Sequence, residues 1–318
     1  MTPSNTLRLT QALWPALSHT VTYADIADRV GQAPTVAPDA EPVSPRFDKS
    51  TEQKEYIRPN GMKYVPRTKS VDGVNVHDVT LVRKSIEAGL PVLLYGEPGC
   101  GKTALVEAAF GEDLYTVQGT VETETADFVG SWVQNPDGTY GWVDGPLILA
   151  MIEGKKLLVD EIALIDSRVM AVVYGVMDGR GELVVTQNPL RGTVHVESGF
   201  AVIGACNPNV PGAQMSDALL SRFIVHIEMT TDWSIASKLG VPAKITQVVR
   251  NLNQKFANGE VTQAPQLREL IAFRDVSESF GEAFALQNFI SQIREENRGI
   301  AAAQIASVFG ADHKPLVF

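Results

Sequence analysis

Between residues 90 and 230 the chain alternates short apolar runs with segments of helical spacing. Val92–Tyr95, Leu114–Val117, Lys156–Val159, Ala201–Ala205 and Ile224–Ile227 are the runs. Strands that are hydrophobic throughout, rather than at every second position, are covered on both faces. The pattern therefore predicts an α/β core over 71–230, built on a five-stranded parallel sheet with helices between its strands. Val71–Glu87 has helical spacing and ends at Gly89, a plausible stop. After Thr231 the strand signals cease and helical segments continue to about Phe309, which predicts a small α-helical domain over 231–318.

Upstream the pattern changes twice. Leu7, Leu9, Leu13, Leu17 and Val21 form an apolar set, and Thr22-Tyr23-Ala24-Asp25 resembles a capping box before Ile26. Residues 1–32 thus read as a short helical segment, either a packing helix or the opening of a helix-turn-helix. Residues 33–70 scatter Pro34, Pro38, Pro42, Pro45, Pro59 and Pro66 among charged and small residues, which reads as a linker or arm.

Composition narrows the function classes. The formal charge of −10 argues against broad electrostatic binding to nucleic acid or anionic membrane. No apolar run approaches the ~20 residues needed to span a bilayer, and Met1-Thr2-Pro3-Ser4-Asn5 lacks a signal-peptide plan. The two cysteines, Cys100 and Cys206, suit a reducing cytoplasm better than a disulfide framework. Cys100 lies within a glycine-rich loop, where oxidation or alkylation would block ligand binding.

That loop is Gly96-Glu97-Pro98-Gly99-Cys100-Gly101-Lys102-Thr103, a full G-x-x-x-x-G-K-[ST] pattern between a predicted strand and a helix from Ala104 to Phe110. Glycines let backbone N–H groups turn inward around a phosphate, and the helix, from Ala104 on, presents its positive end. Lys102 would reach the β- and γ-phosphates of ATP, and Thr103 would offer its hydroxyl to Mg²⁺. Lys156-Leu157-Leu158-Val159-Asp160-Glu161 ends a buried strand in two carboxylates, Asp160 for the metal and Glu161 to polarise an attacking water. The run Phe200–Cys206 delivers Asn207, whose amide would hold that water or the γ-phosphate. Arg222, just before the last strand, would reach a neighbouring subunit's γ-phosphate.

Together these segments resemble an AAA+ P-loop ATPase, and more narrowly the MoxR branch near the CbbQ/NorQ group. Thr125-Ala126-Asp127-Phe128-Val129-Gly130 is similar to the start of that branch's insertion. Asp137–Leu147 resembles its hairpin and Gly-Pro-Leu, and Val173–Leu183 the helix entering a second hairpin. The resemblance runs from Asp78 to Arg274. It implies a homo-oligomeric, hexameric ring with ATP at subunit interfaces and a helical lid. Its lid arginine, which contacts the γ-phosphate, matches Arg268 in Pro265-Gln266-Leu267-Arg268, with Arg274 close by. It also implies chaperone-like remodelling of a protein, often with a von Willebrand factor A-domain partner. One departure stands out: Ile162 is followed by Ala163-Leu164, where the family often has Asn-Arg for coupling between subunits.

Two other functions compete: a DNA-transaction motor using residues 1–32, and a nucleotide-gated scaffold with slow turnover. The intact Asp160-Glu161 pair counts against the second. Trp132, Tyr140 and Trp142 either grip a polypeptide or pack their hairpin on the core. His195 reads as an ordinary strand residue.

Overall fold

A computed structural model describes residues 55–317, apart from 72, 73, 209, 211 and 214. Residues 1–32 and the first part of the Pro-rich stretch lie outside the described residues.

The parallel sheet forms from β5 (Val92–Tyr95), β6 (Leu114–Gln118), β9 (Lys156–Asp160), β12 (Ala201–Cys206) and β13 (Val225–Glu228). Its order is β13-β5-β12-β9-β6, and every pairing is parallel. One face packs on α1 (Asp78–Glu87) and α2 (Lys102–Phe110) through Val79, Val82, Leu105 and Val106. The other packs on α4 (Pro146–Glu153) and α5 (Ser167–Met177) through Leu147, Ile148, Met170 and Val173. Burial on both sides is why the central strands β5, β12 and β9 carry no polar alternation, whereas the edge strands β6 and β13 place Thr116, His226 and Glu228 at exposed positions.

Two antiparallel hairpins interrupt the alternation. One joins β7 (Gly130–Gln134) to β8 (Tyr140–Asp144) after the short α3 (Thr125–Val129). The other joins β10 (Glu182–Val184) to β11 (Thr193–His195). Arg191 clamps them together, its guanidinium 3.0 Å from the Asp144 carboxylate.

The C-terminal helices follow α6 (Asp217–Leu220): α7 (Trp233–Lys238), α8 (Ala243–Ala257), α9 (Leu267–Phe280), α10 (Glu282–Gln292) and α11 (Arg298–Phe309). They have their own core. In α8, Ile245, Val248, Val249 and Leu252 fall at i, i+3, i+4 and i+7, one stripe facing Leu270, Phe289 and Ile305. Burying each such aliphatic side chain contributes about 1.5–3 kcal/mol, so a charge at Val249 would open this domain. Among the described residues no helix is long and apolar enough to cross a membrane.

The N-terminal boundary differs from the sequence reading. From Tyr56 onward the Pro-rich stretch is folded, with β1 (Tyr56–Ile57) on β2 (Lys63–Tyr64) and β3 (Thr68–Val71) on β4 (Val74–His77). Tyr56 and Tyr64, only 3% and 5% exposed, join the core over α1 and α2. Helix α1 accordingly starts at Asp78 rather than Val71. Strands of two residues among prolines have too little length to show a period, but Asn60-Gly61 is a strong hairpin signal that composition averaging hid.

Candidate nucleotide site

The C-terminal ends of β5, β12 and β9 lie side by side, so topology alone brings three predicted segments to one edge of the sheet. This edge is where open α/β sheets bind ligands. The loop 96–101 leaves β5 and is drawn back to the sheet, the Gly96 N–H donating to the Cys206 carbonyl at 3.2 Å. A side chain at Gly96 would drive its Cβ to 2.1 Å from the Met229 carbonyl oxygen, so only glycine fits. Gly101 caps α2 in the left-handed region, φ 94°, which aims the first N–H groups of the helix into the loop.

Lys102 is buried beneath the loop, its ammonium donating to the carbonyl oxygens of Gly96 at 2.9 Å and Glu97 at 3.1 Å. The Thr103 hydroxyl donates to Asp160 Oδ2 at 2.6 Å. Asp160 is itself buried and its Oδ1 accepts the Glu161 N–H at 3.0 Å. Glu161 has φ 48° and ψ 37°, the one non-glycine with positive φ among the described residues. Such a conformation costs about 1–3 kcal/mol and persists where the surroundings impose it.

These residues open on a cavity of about 600 Å³. Lys102, Thr103, Asp160 and Glu161 line its phosphate end, with Gly99, Gly101 and Ala104. Ile235, Leu239, Leu267 and Ile271 from the C-terminal helices, with Tyr64 and Val65, make an apolar wall fit for a base. The hydroxyl–carboxylate pair of Thr103 and Asp160 fits Mg²⁺, which prefers oxygen ligands and keeps several waters. Among the described residues no group of three or more His, Cys, Asp or Glu side chains is placed to hold a metal ion.

Arg268 lines this cavity, at the second position of α9. Arg274 does not: its guanidinium is spent on the Leu239 carbonyl at 2.5 Å and on Asp275. Asn207 is buried just past β12, between the strands carrying the loop and the acidic pair, and does not line the cavity. Arg222 stands outside it too. Its guanidinium holds Asp178 at 2.7 and 2.9 Å, donates to the Ala218 carbonyl and lies 4.7 Å over the Tyr174 ring. That ion pair holds the Asp178 carboxyl below the usual carboxylate range.

The cysteine reading needs correction. Cys100 is 0% exposed, and burial pushes its thiol up from the ordinary value. Burial pushes the Cys206 thiol up to about 11. Neither presents a thiolate to oxidant or alkylating agent. The aromatic residues divide. Trp142 packs on the core and meets Trp132 edge to face at 5.8 Å, whereas Trp132 and Tyr140 remain 48% and 64% exposed. His195 stands on an exposed hairpin position opposite Glu182.

Two features escaped sequence reasoning. Residues 58–67 form one wall of the site, and Gln266 ties the lid to the loop, Nε2 donating to Glu97 Oε2 at 2.6 Å. The Gln266 amide oxygen accepts from the Thr231 hydroxyl. Gln266 also caps α9 in a reciprocal pair with Glu269.

The family described as "AAA domain (dynein-related subfamily)" matches residues 91–223. The chain is 34% identical over 149 residues to the uncharacterised protein YojN of Bacillus subtilis, spanning 44% of this chain and 48% of YojN. It is 31% identical over 205 residues to the uncharacterised protein SH1500 of Staphylococcus haemolyticus, spanning 58% of this chain and 77% of that one. A stretch of 167 residues is 28% identical to midasin of Giardia intestinalis, 49% of this chain but 3% of midasin. A crystal structure from Cytophaga hutchinsonii aligns with a TM-score of 0.40 and 16% identity, over 73% of this chain and 84% of that one.

Proposed function

The chain belongs to the AAA domain family, dynein-related subfamily, and from that premise we propose that it hydrolyses ATP with Mg²⁺ at the interfaces of a homo-oligomeric ring. The observation that carries the reading is the hydrogen bond of Thr103 to Asp160 beside the buried Lys102, at the mouth of one cavity. Mg²⁺ bound there would draw charge off the phosphates. Lys102 and the loop N–H groups hold the polyphosphate, Glu161 takes the proton of the attacking water, and Arg268, which lines the cavity, orients the γ-phosphate. Arg222, which does not line its own cavity, serves the site of the next subunit.

The finer reading follows the MoxR-like hairpins: turnover drives chaperone-like remodelling of a protein, with a von Willebrand factor A-domain protein as the fitting class of partner. Exposed Trp132 and Tyr140 support a polypeptide contact there.

Light scattering with and without Mg·ATP, alongside phosphate release, tests the proposal. Growth to about six subunits, with release lost in Glu161→Gln, is the expected result. A monomer that hydrolyses ATP unaided, or full turnover by Glu161→Gln, would overturn it.

A further inference from the structure

Arg67 lies between β2 and β3, in the segment that precedes the matched domain, yet it reaches the phosphate loop. One terminal nitrogen of its guanidinium donates to the Cys100 carbonyl, inside the G-x-x-x-x-G-K-T motif. The other donates to the Tyr64 hydroxyl at 2.9 Å and lies 3.5 Å from Asp78 Oδ2. The Tyr64 hydroxyl in turn donates to the same Asp78 oxygen at 2.5 Å. Arg67 is fixed from its backbone as well, its carbonyl accepting the Asp78 N–H at 2.9 Å. A planar fork held at two points has one orientation, which a lysine ammonium would not keep.

That orientation puts charge at the site. Arg67 lines the cavity with Lys102, and a side chain at Gly101 would meet its guanidinium at 3.7 Å. Its third nitrogen, Nε, is buried with no hydrogen-bond partner among the described residues, so the group has donor capacity left over. A buried donor of a charged group is costly to leave unmet.

We propose that Arg67 is a positioning residue of the nucleotide site: held by Tyr64 and Asp78, it pins the Cys100–Gly101 peptide so that the loop's N–H groups converge on phosphate, and it adds a second fixed positive charge beside Lys102. This rests on the nucleotide reading above. The Cys100 carbonyl is an acceptor that would repel a phosphate if its peptide turned over, and Arg67 keeps it turned away. Adenosine, lacking phosphates, gains nothing from either effect.

The test is calorimetric titration of the full chain with Mg·ADP and, separately, with adenosine. Arg67→Ala is expected to bind Mg·ADP about ten- to a hundredfold more weakly, the range for one charge-assisted hydrogen bond, with adenosine binding unchanged. Low-millimolar guanidinium should restore part of the loss in Arg67→Ala and nothing in Lys102→Ala. Tyr64→Phe deletes one hydroxyl and keeps the ring in the core, so it reports on the network where Arg67→Ala fails to fold; a smaller loss of about two- to tenfold is expected, because the hydroxyl acts on the loop only through Arg67. Wild-type affinity for Mg·ADP in Arg67→Ala, or in Tyr64→Phe if that alone folds, would overturn the proposal. So would an equal loss for adenosine, which is the mark of a general structural role. A wild-type chain that binds no Mg·ADP would instead bring down the nucleotide reading itself.

Discussion

Glu161 hangs from a backbone that L-residues avoid, at the end of a strand whose other residues are unstrained. The strain has a testable signature. At an ordinary site alanine is more stable than glycine by roughly 0.5–1 kcal/mol. At φ 48° the order should invert, with Glu161→Gly more stable to thermal unfolding than Glu161→Ala by about 1 kcal/mol. Both variants should lose phosphate release. The usual order, alanine above glycine, would show that this conformation is not imposed by the fold. Cysteine chemistry offers a second check at this scale. With its pKa near 11, Cys206 is about one part in a thousand thiolate at pH 8, and Cys100 is sealed. A disulfide reagent should therefore leave the native chain almost unlabelled and titrate both thiols in denaturant. Prompt labelling of the native chain would contradict the burial described for the loop.

Between elements, the connection that matters most is Gln266, which reaches across 169 positions of sequence to Glu97 while capping its own helix. Substituting Gln266→Ala removes that hydrogen bond to a carboxylate and leaves the Thr231 hydroxyl without its acceptor. The expected cost is about 1.5–3 kcal/mol in denaturant melts. Mg·ADP should raise the melting temperature of the variant less than that of wild type, because nucleotide and lid meet through this link. An unchanged nucleotide shift would mean that the lid docks independently of the loop. The same scale shows what was legible in the sequence. The central strands β5, β9 and β12 were readable because burial on two faces writes a continuous apolar run. The motif carried Lys102, Thr103, Asp160 and Glu161 to one edge once the strands were in order. The hairpin of β1 and β2 was not readable from two-residue strands, although Asn60-Gly61 pointed to a turn. Gln266 and Arg67 were not readable because each acts through a carbonyl or carboxylate distant in sequence, and periodicity encodes only neighbours along one element.

For the whole molecule, the position of Arg222 separates a ring from a self-sufficient chain. It is pinned by Asp178 and stacked on Tyr174, and none of the cavity's walls includes it. If each site is completed by the next subunit, Arg222→Ala should keep the affinity of the isolated chain for Mg·ADP. It should nevertheless lose turnover by about 10³-fold or more, the scale set by arginine fingers elsewhere. Lys102→Ala should be inactive for the opposite reason, its own loop being unable to hold phosphate. In a mixture of the two, some interfaces pair an intact loop from Arg222→Ala with an intact arginine from Lys102→Ala. Phosphate release should then reappear at a level neither variant shows alone, and should fall when subunits are diluted below their assembly range. Should mixed oligomers form, as native mass spectrometry would show, and still release no phosphate, Arg222 does not act across the interface. Its grip on Asp178 would then be read as a brace between α5 and the last strand, and the site would have to be completed from within one chain.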